Sequence, residues 1–145
     1  MNRLITHPAY FPRPPLMVAL ADSLIYENDK YRIEVGKGYR SDGGSLPAFS
    51  WSILRISPYD VRCIYAFILH DYCYQSHQIS RAEADAVLND VLAIPPACNA
   101  LQRWLIYIHV RLYGWLPYNA KTAEMQAEGR KFGRVILKTS KYELF

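Results

Sequence analysis

A chain of 145 residues, 51% hydrophobic and 21% charged, can bury one sizeable core and is too short for two ordinary domains. That balance excludes intrinsic disorder as the governing state. With mean hydropathy at −0.10 and no apolar run near the ~18 residues of a spanning helix, a transmembrane segment is not expected. A net charge of +4 falls short of a dedicated nucleic-acid binder, so nucleic acid is an unlikely partner.

The expected organisation is one domain over residues 1–145, with an N-terminal arm at 1–15 and a C-terminal tail at 138–145. The arm is Pro-rich and reads as irregular, and no apolar stretch after it resembles a secretion signal. Met17–Tyr26 and Lys30–Val35 are short, β-branched and aromatic. Turn chemistry at Glu27-Asn28-Asp29 makes them a small hairpin. Gly36–Pro47 is a Gly-dense loop closed by Pro. From Ser57-Pro58, a helix-start signal, the spacing predicts a long helix over Tyr59–Ser76. After the connector Gln78-Ile79-Ser80, the capping box Ser80-Arg81-Ala82-Glu83 opens a second helix. Pro95-Pro96 stops that helix near Ile94. A third helix is expected from about Ala97 to Gly114, with Leu101, Trp104, Leu105, Ile108 and Leu112 forming one apolar face. Trp115–Asn119 is a break. Ala120–Leu137 reads as a weaker fourth helix, and Lys138–Phe145 as a tail or late strand. The fold class is therefore α+β: a small N-terminal β-hairpin and a core of three to four helices.

Chemistry concentrates at Leu69-His70-Asp71-Tyr72-Cys73-Tyr74, where a His and an Asp sit side by side in an apolar helix. An unpartnered carboxylate there would be costly to bury. His70 and Tyr74, four apart, share a helix face, while Asp71 is about 100° around the helix. The short connector makes the next helix an antiparallel neighbour and brings Asp85 and Arg81 level with His70 and Tyr74. A carboxylate opposite a His fixes its tautomer and stabilises its charged form. Arg81 and Asp85 also suit an i,i+4 salt bridge. In Ser41-Asp42-Gly43-Gly44-Ser45-Leu46-Pro47, Gly pairs let carbonyls turn inward beside a hard carboxylate oxygen, as calcium requires; an ordinary Gly-rich turn is the alternative.

The run Tyr39–Gly114 resembles an uncharacterised family common in phages and prophages, domain of unknown function 1353. The residues that carry the resemblance are Gly38–Pro47, Leu69–Tyr74, Ser80–Asp85 and Tyr107–Gly114, in that order. More distantly, the layout is similar to the small prokaryotic-type phospholipase A2 enzymes, which implies a phospholipase-A2-like antiparallel helix pair. By that resemblance His70 is the general base that activates water, Asp85 orients it, and Tyr74 hydrogen-bonds Asp85. Asp71 ligates calcium beside backbone oxygens of the Asp42, Gly43, Gly44 and Ser45 loop. The implied activity is a calcium-dependent ester hydrolase of phage origin, acting at a lipid surface. The competing class is a non-enzymatic phage protein, either a virion or tail component or a host-interaction (anti-defence) factor that keeps the fold and binds other phage proteins. Both place the protein in host cytoplasm or in the phage particle.

Other readings are weaker. His70, Asp71, His77 and His109 lack zinc spacing. Three Cys with no CxxC pair give no disulfide framework, and Cys73, three residues after His70, reads as a buried thiol. Trp51, Trp104 and Trp115 read as core and rim. Arg103 and Arg111 flank Tyr107 and suit an anion clamp, with surface solvation as the default.

Overall fold

Alternating apolar residues fold the N-terminal part of the chain into antiparallel sheet. The computed structural model describes residues 2–13, 17–41 and 63–138. The strands are β1 (Arg3–Leu4), β2 (Tyr10–Arg13), β3 (Met17–Leu20), β4 (Leu24–Glu27), β5 (Tyr31–Val35), β6 (Arg40–Ser41) and β7 (Gly133–Leu137). Two sheets result, with strand orders β1-β4-β5-β7 and β2-β3-β6. The helices are α1 (Ile64–Ser76), α2 (Arg81–Leu92), α3 (Ala100–Tyr113), α4 (Trp115–Asn119) and α5 (Ala123–Arg130). The mixed α+β class follows.

The hairpin forms between β4 and β5, with Tyr26 opposite Ile33. Asn28 makes the turn: its side-chain oxygen accepts the amides of Lys30 and Tyr31 at 2.8 and 2.9 Å, an Asx turn. Leu24, Tyr26, Ile33 and Val35 point inward on one face, as the period of two requires. They pack in one cluster with Ile64, Ile68 and Tyr72 of α1 and Val87, Leu88 and Leu92 of α2.

Four boundaries differ from the sequence reading. Met17–Tyr26 is not one strand: Ala21-Asp22-Ser23 breaks it, sending β3 to the second sheet and β4 to the first. The arm is not irregular, because β1 pairs with β4 and β2 with β3. The Ala120–Leu137 helix stops at Arg130, and Gly133–Leu137 is instead an edge strand on β5. A Cβ at Gly133 would run into the Glu34 carbonyl, so glycine is what permits that close pairing. Trp115–Asn119 is the short helix α4 rather than a break. The expected helix start at Ser57-Pro58 and residues 59–62 lie outside the described residues, as does the tail beyond 138.

The helix-start signal at Ser80 is observed in full: Ser80 Oγ accepts from the Glu83 amide and Glu83 reaches back. An unforeseen second capping box, Asn99 with Gln102, opens α3. The connector of four residues after Ser76 begins with His77 in the left-handed region, at φ 53, and turns α2 back onto α1. No helix among the described residues is long and apolar enough to cross a membrane.

Candidate functional site

Asp85 is the hub. It faces inward from α2 with no solvent exposure, and it meets partners from three helices. From α1, His70 Nε2 lies 2.7 Å from Asp85 Oδ1 and the Tyr74 hydroxyl donates to the same oxygen at 2.6 Å. From α3, Arg111 Nη1 donates to Asp85 Oδ2 at 2.7 Å. From one turn earlier on α2, Arg81 Nη1 approaches Oδ2 at 3.4 Å. Arg81 also donates to the Val110 and Arg111 carbonyls at 3.1 and 3.3 Å, so it ties α2 to the last turn of α3. Favourable charge at a helix C-terminus reinforces that tie.

Burial alone would raise the Asp85 pKa. Hydrogen bonds from His70, Tyr74 and Arg111 outweigh it and hold the carboxyl below its ordinary value. Asp85 is therefore ionised at neutral pH. An ionised acceptor fixes the adjoining imidazole, because Nε2 is then the nitrogen that carries a hydrogen toward Asp85. Tyr74 is pushed upward, first by burial and then by the Asp85 charge, so it stays a phenol and donates. Its ring lies 4.0 Å from that of His70. On its other side it packs edge-on against Tyr118 of α4, at 5.2 Å. Gly114 closes this wall, since a Cβ there would meet the Tyr74 hydroxyl and the Val110 carbonyl.

The structure thus brings four of the expected residues together: His70, Tyr74, Arg81 and Asp85. Arg81 makes the expected i,i+4 contact, although it is the longest of the four contacts to Asp85. Arg111 belongs to the same group. The sequence reading had surface solvation as the default for it and Arg103, with an anion clamp as the alternative; instead Arg111 donates to Asp85, while Arg103 donates to the Cys98 carbonyl at 2.9 Å. Only the phase of α3 relative to α2 could have shown this, and no local motif encodes that phase.

Asp71 points to a different partner. Ser41 Oγ, at the end of β6, donates to Asp71 Oδ2. Strand β6 therefore delivers the start of the Gly-rich loop to the carboxylate beside His70. Asp42, Gly43, Gly44 and Ser45 themselves lie outside the described residues. Among the described residues no group of three His, Cys, Asp or Glu side chains is placed to hold a metal. A calcium site would thus combine Asp71 with loop oxygens. The donor types fit, because the Asp71 carboxylate and the carbonyl, carboxylate and hydroxyl groups that the sequence Asp42–Ser45 carries are hard oxygen donors.

The remaining residues are placed elsewhere. His77 stacks on Tyr118 with ring centroids 3.9 Å apart, its Nε2 2.8 Å from the Tyr118 carbonyl. His109 packs against Tyr113. Cys63, Cys73 and Cys98 are all buried and none is in a disulfide. Burial pushes the Cys73 thiol up, which makes it a poor nucleophile.

No curated protein and no solved structure matches this chain. Its sequence does match, over residues 18–110, the family described as protein of unknown function, DUF1353. That stretch runs from β3 through the hairpin, both helices of the His70–Asp85 pair and most of α3. On this match the chain belongs to that family.

Proposed function

We propose that this protein is a phospholipase-A2-like, calcium-dependent ester hydrolase, with His70 as its base. The observation that carries the reading is the 2.7 Å contact between His70 Nε2 and Asp85 Oδ1, supported by Tyr74 at 2.6 Å. Orientation of a neutral imidazole by a buried carboxylate is what general-base activation of water needs.

His70 is nearly buried, at 7% exposure. Its Nε2 is occupied by Asp85, so Nδ1 is the nitrogen that takes a proton from water attacking an ester carbonyl. The resulting imidazolium is stabilised by Asp85, which stays ionised. Tyr74 and Arg111 hold Asp85 from either side, so its carboxylate cannot swing away from the ring. Asp71 and the Asp42–Ser45 loop would hold calcium, which when bound polarises an ester carbonyl. Ser41, the residue before that loop, donates to the Asp71 carboxylate.

A second reading draws on the same hub. Four partners on one buried carboxylate also describe a structural network in a non-enzymatic protein, such as the phage virion, tail or host-interaction component that the sequence suggests. Turnover separates the two. The wild-type chain should release fatty acid from phospholipid vesicles in the presence of calcium, and His70→Asn should lose it while keeping its circular dichroism spectrum. No release by the wild-type chain above background sinks the hydrolase reading for that substrate class.

A further inference from the structure

Helix α3 turns its apolar stripe the wrong way for a core element. Gln102 and Ile106 face inward, whereas Leu101, Trp104 and Leu112 are exposed at 64%, 57% and 59%. Beyond Gly114 the stripe continues into α4, where Trp115 and Leu116 are at least half exposed. Such a surface is on the order of several hundred Å², the size that marks an interaction site on a soluble domain.

We propose that this α3–α4 face seats on an anionic lipid surface. The charge of the segment selects that occupant. Between Asp90 and Glu124 the chain carries no Asp or Glu, while Arg103 and Lys121 fall within it beside Arg111, which is paired with Asp85. An apolar helix face with Trp at its border and only cations beside it matches a headgroup layer with acyl chains beneath. Trp and Tyr prefer that boundary, having an apolar body and a polar tip. The face is also continuous with the hub described above. Arg111, next to Leu112, donates to Asp85, and Gly114, next to Trp115, abuts Tyr74. Docking there sets the His70 site at the edge of the bilayer. As a choice of substrate phase this rests on the hydrolase reading, but the binding itself does not.

The test uses the full chain carrying His70→Asn, so that turnover cannot alter the vesicles. Co-sedimentation is measured with phosphatidylcholine vesicles and with vesicles containing about a third phosphatidylglycerol. Binding to the anionic vesicles should exceed binding to the neutral ones by roughly tenfold or more, and should weaken with added salt. The variant Trp104→Gln with Leu112→Gln should lose binding by at least about tenfold, with its melting temperature kept, since both side chains are exposed. Arg103→Gln with Lys121→Gln should reduce the anionic preference alone. Three results would overturn the proposal: no binding to anionic vesicles, equal binding by the Trp104/Leu112 variant, or a dimer of the free chain that this variant dissolves. Vesicle binding by the wild-type chain without ester hydrolysis would leave the docking face standing and remove only the hydrolase reading.

Discussion

Replacing Asp85 by Ala removes the acceptor of four contacts at once. Asp85 has no exposure, while the Arg81 and Arg111 side chains are 23% and 32% exposed. Breaking a buried ion pair from one side costs about 3–5 kcal/mol, because the partner charge is left without compensation. The two arginines keep some access to solvent, which moves the expected loss to the lower end, about 3 kcal/mol. At roughly 2–4 °C per kcal/mol for a chain of this size, the melting temperature should fall by about 6–12 °C. Urea unfolding followed by circular dichroism reads the loss directly, and Asp85→Asn separates charge from shape. The sign of the pH dependence follows from the lowered pKa of Asp85. A carboxyl whose folded-state pKa is depressed adds stability above its ordinary value of 3.8 and loses it as pH falls through the folded value. The gap between wild type and Asp85→Asn should therefore be full at neutral pH and close progressively below about pH 4. A loss under about 1 kcal/mol for Asp85→Ala, or a gap that widens in acid, would refute the placement of an ionised Asp85 at the hub.

Gly114→Ala should destabilise the fold by about 1–3 kcal/mol, because the new methyl meets the Tyr74 hydroxyl and the Val110 carbonyl; a near-ultraviolet circular dichroism change at Tyr74 would accompany it. Asp90→Asn should raise the melting temperature at neutral pH. Burial holds the Asp90 carboxyl above its ordinary value, and it sits in the last turn of α2, where the helix dipole opposes negative charge. Its benefit should shrink in acid, as wild-type Asp90 becomes protonated. Calcium added to chelator-stripped protein should stabilise it by about 2.7 kcal/mol at a hundredfold excess over the dissociation constant, and Asp71→Asn should abolish that gain; an unchanged wild-type melt at millimolar calcium counts against the metal.

The dyad was legible because every rule behind it is local. Residue spacing put His70 and Tyr74 on one face, a short connector made α2 the neighbour, and the Ser80 capping box fixed where α2 begins. The parts that were not legible depend on distant partners. β1 and β2 are short edge pieces whose strand character comes from pairing with β4 and β3, and the Pro-rich composition of the arm disguised them. For β7, Gly129 and Gly133 were visible interruptions of a helical pattern, and the β-branched run after them favoured a strand. On α3 the apolar stripe gave the period, but not which face turns inward. Apolar residues occupy two faces of that helix, and only packing against α2 decides which one is buried. Arg111 escaped for the same reason, since its role is set by the rotation of α3.

Parallel turnover measurements on wild type, His70→Asn and Asp85→Asn, each scaled to its folded fraction, bear most directly on the central claim. Fatty acid released from calcium-containing phospholipid vesicles is the quantity read. If His70 is the base and Asp85 orients it, wild type turns over and His70→Asn falls by about 100-fold or more, with Asp85→Asn also impaired beyond its loss of folded protein. If wild type releases nothing, or His70→Asn retains wild-type release, the dyad is a structural network and the hydrolase account is wrong.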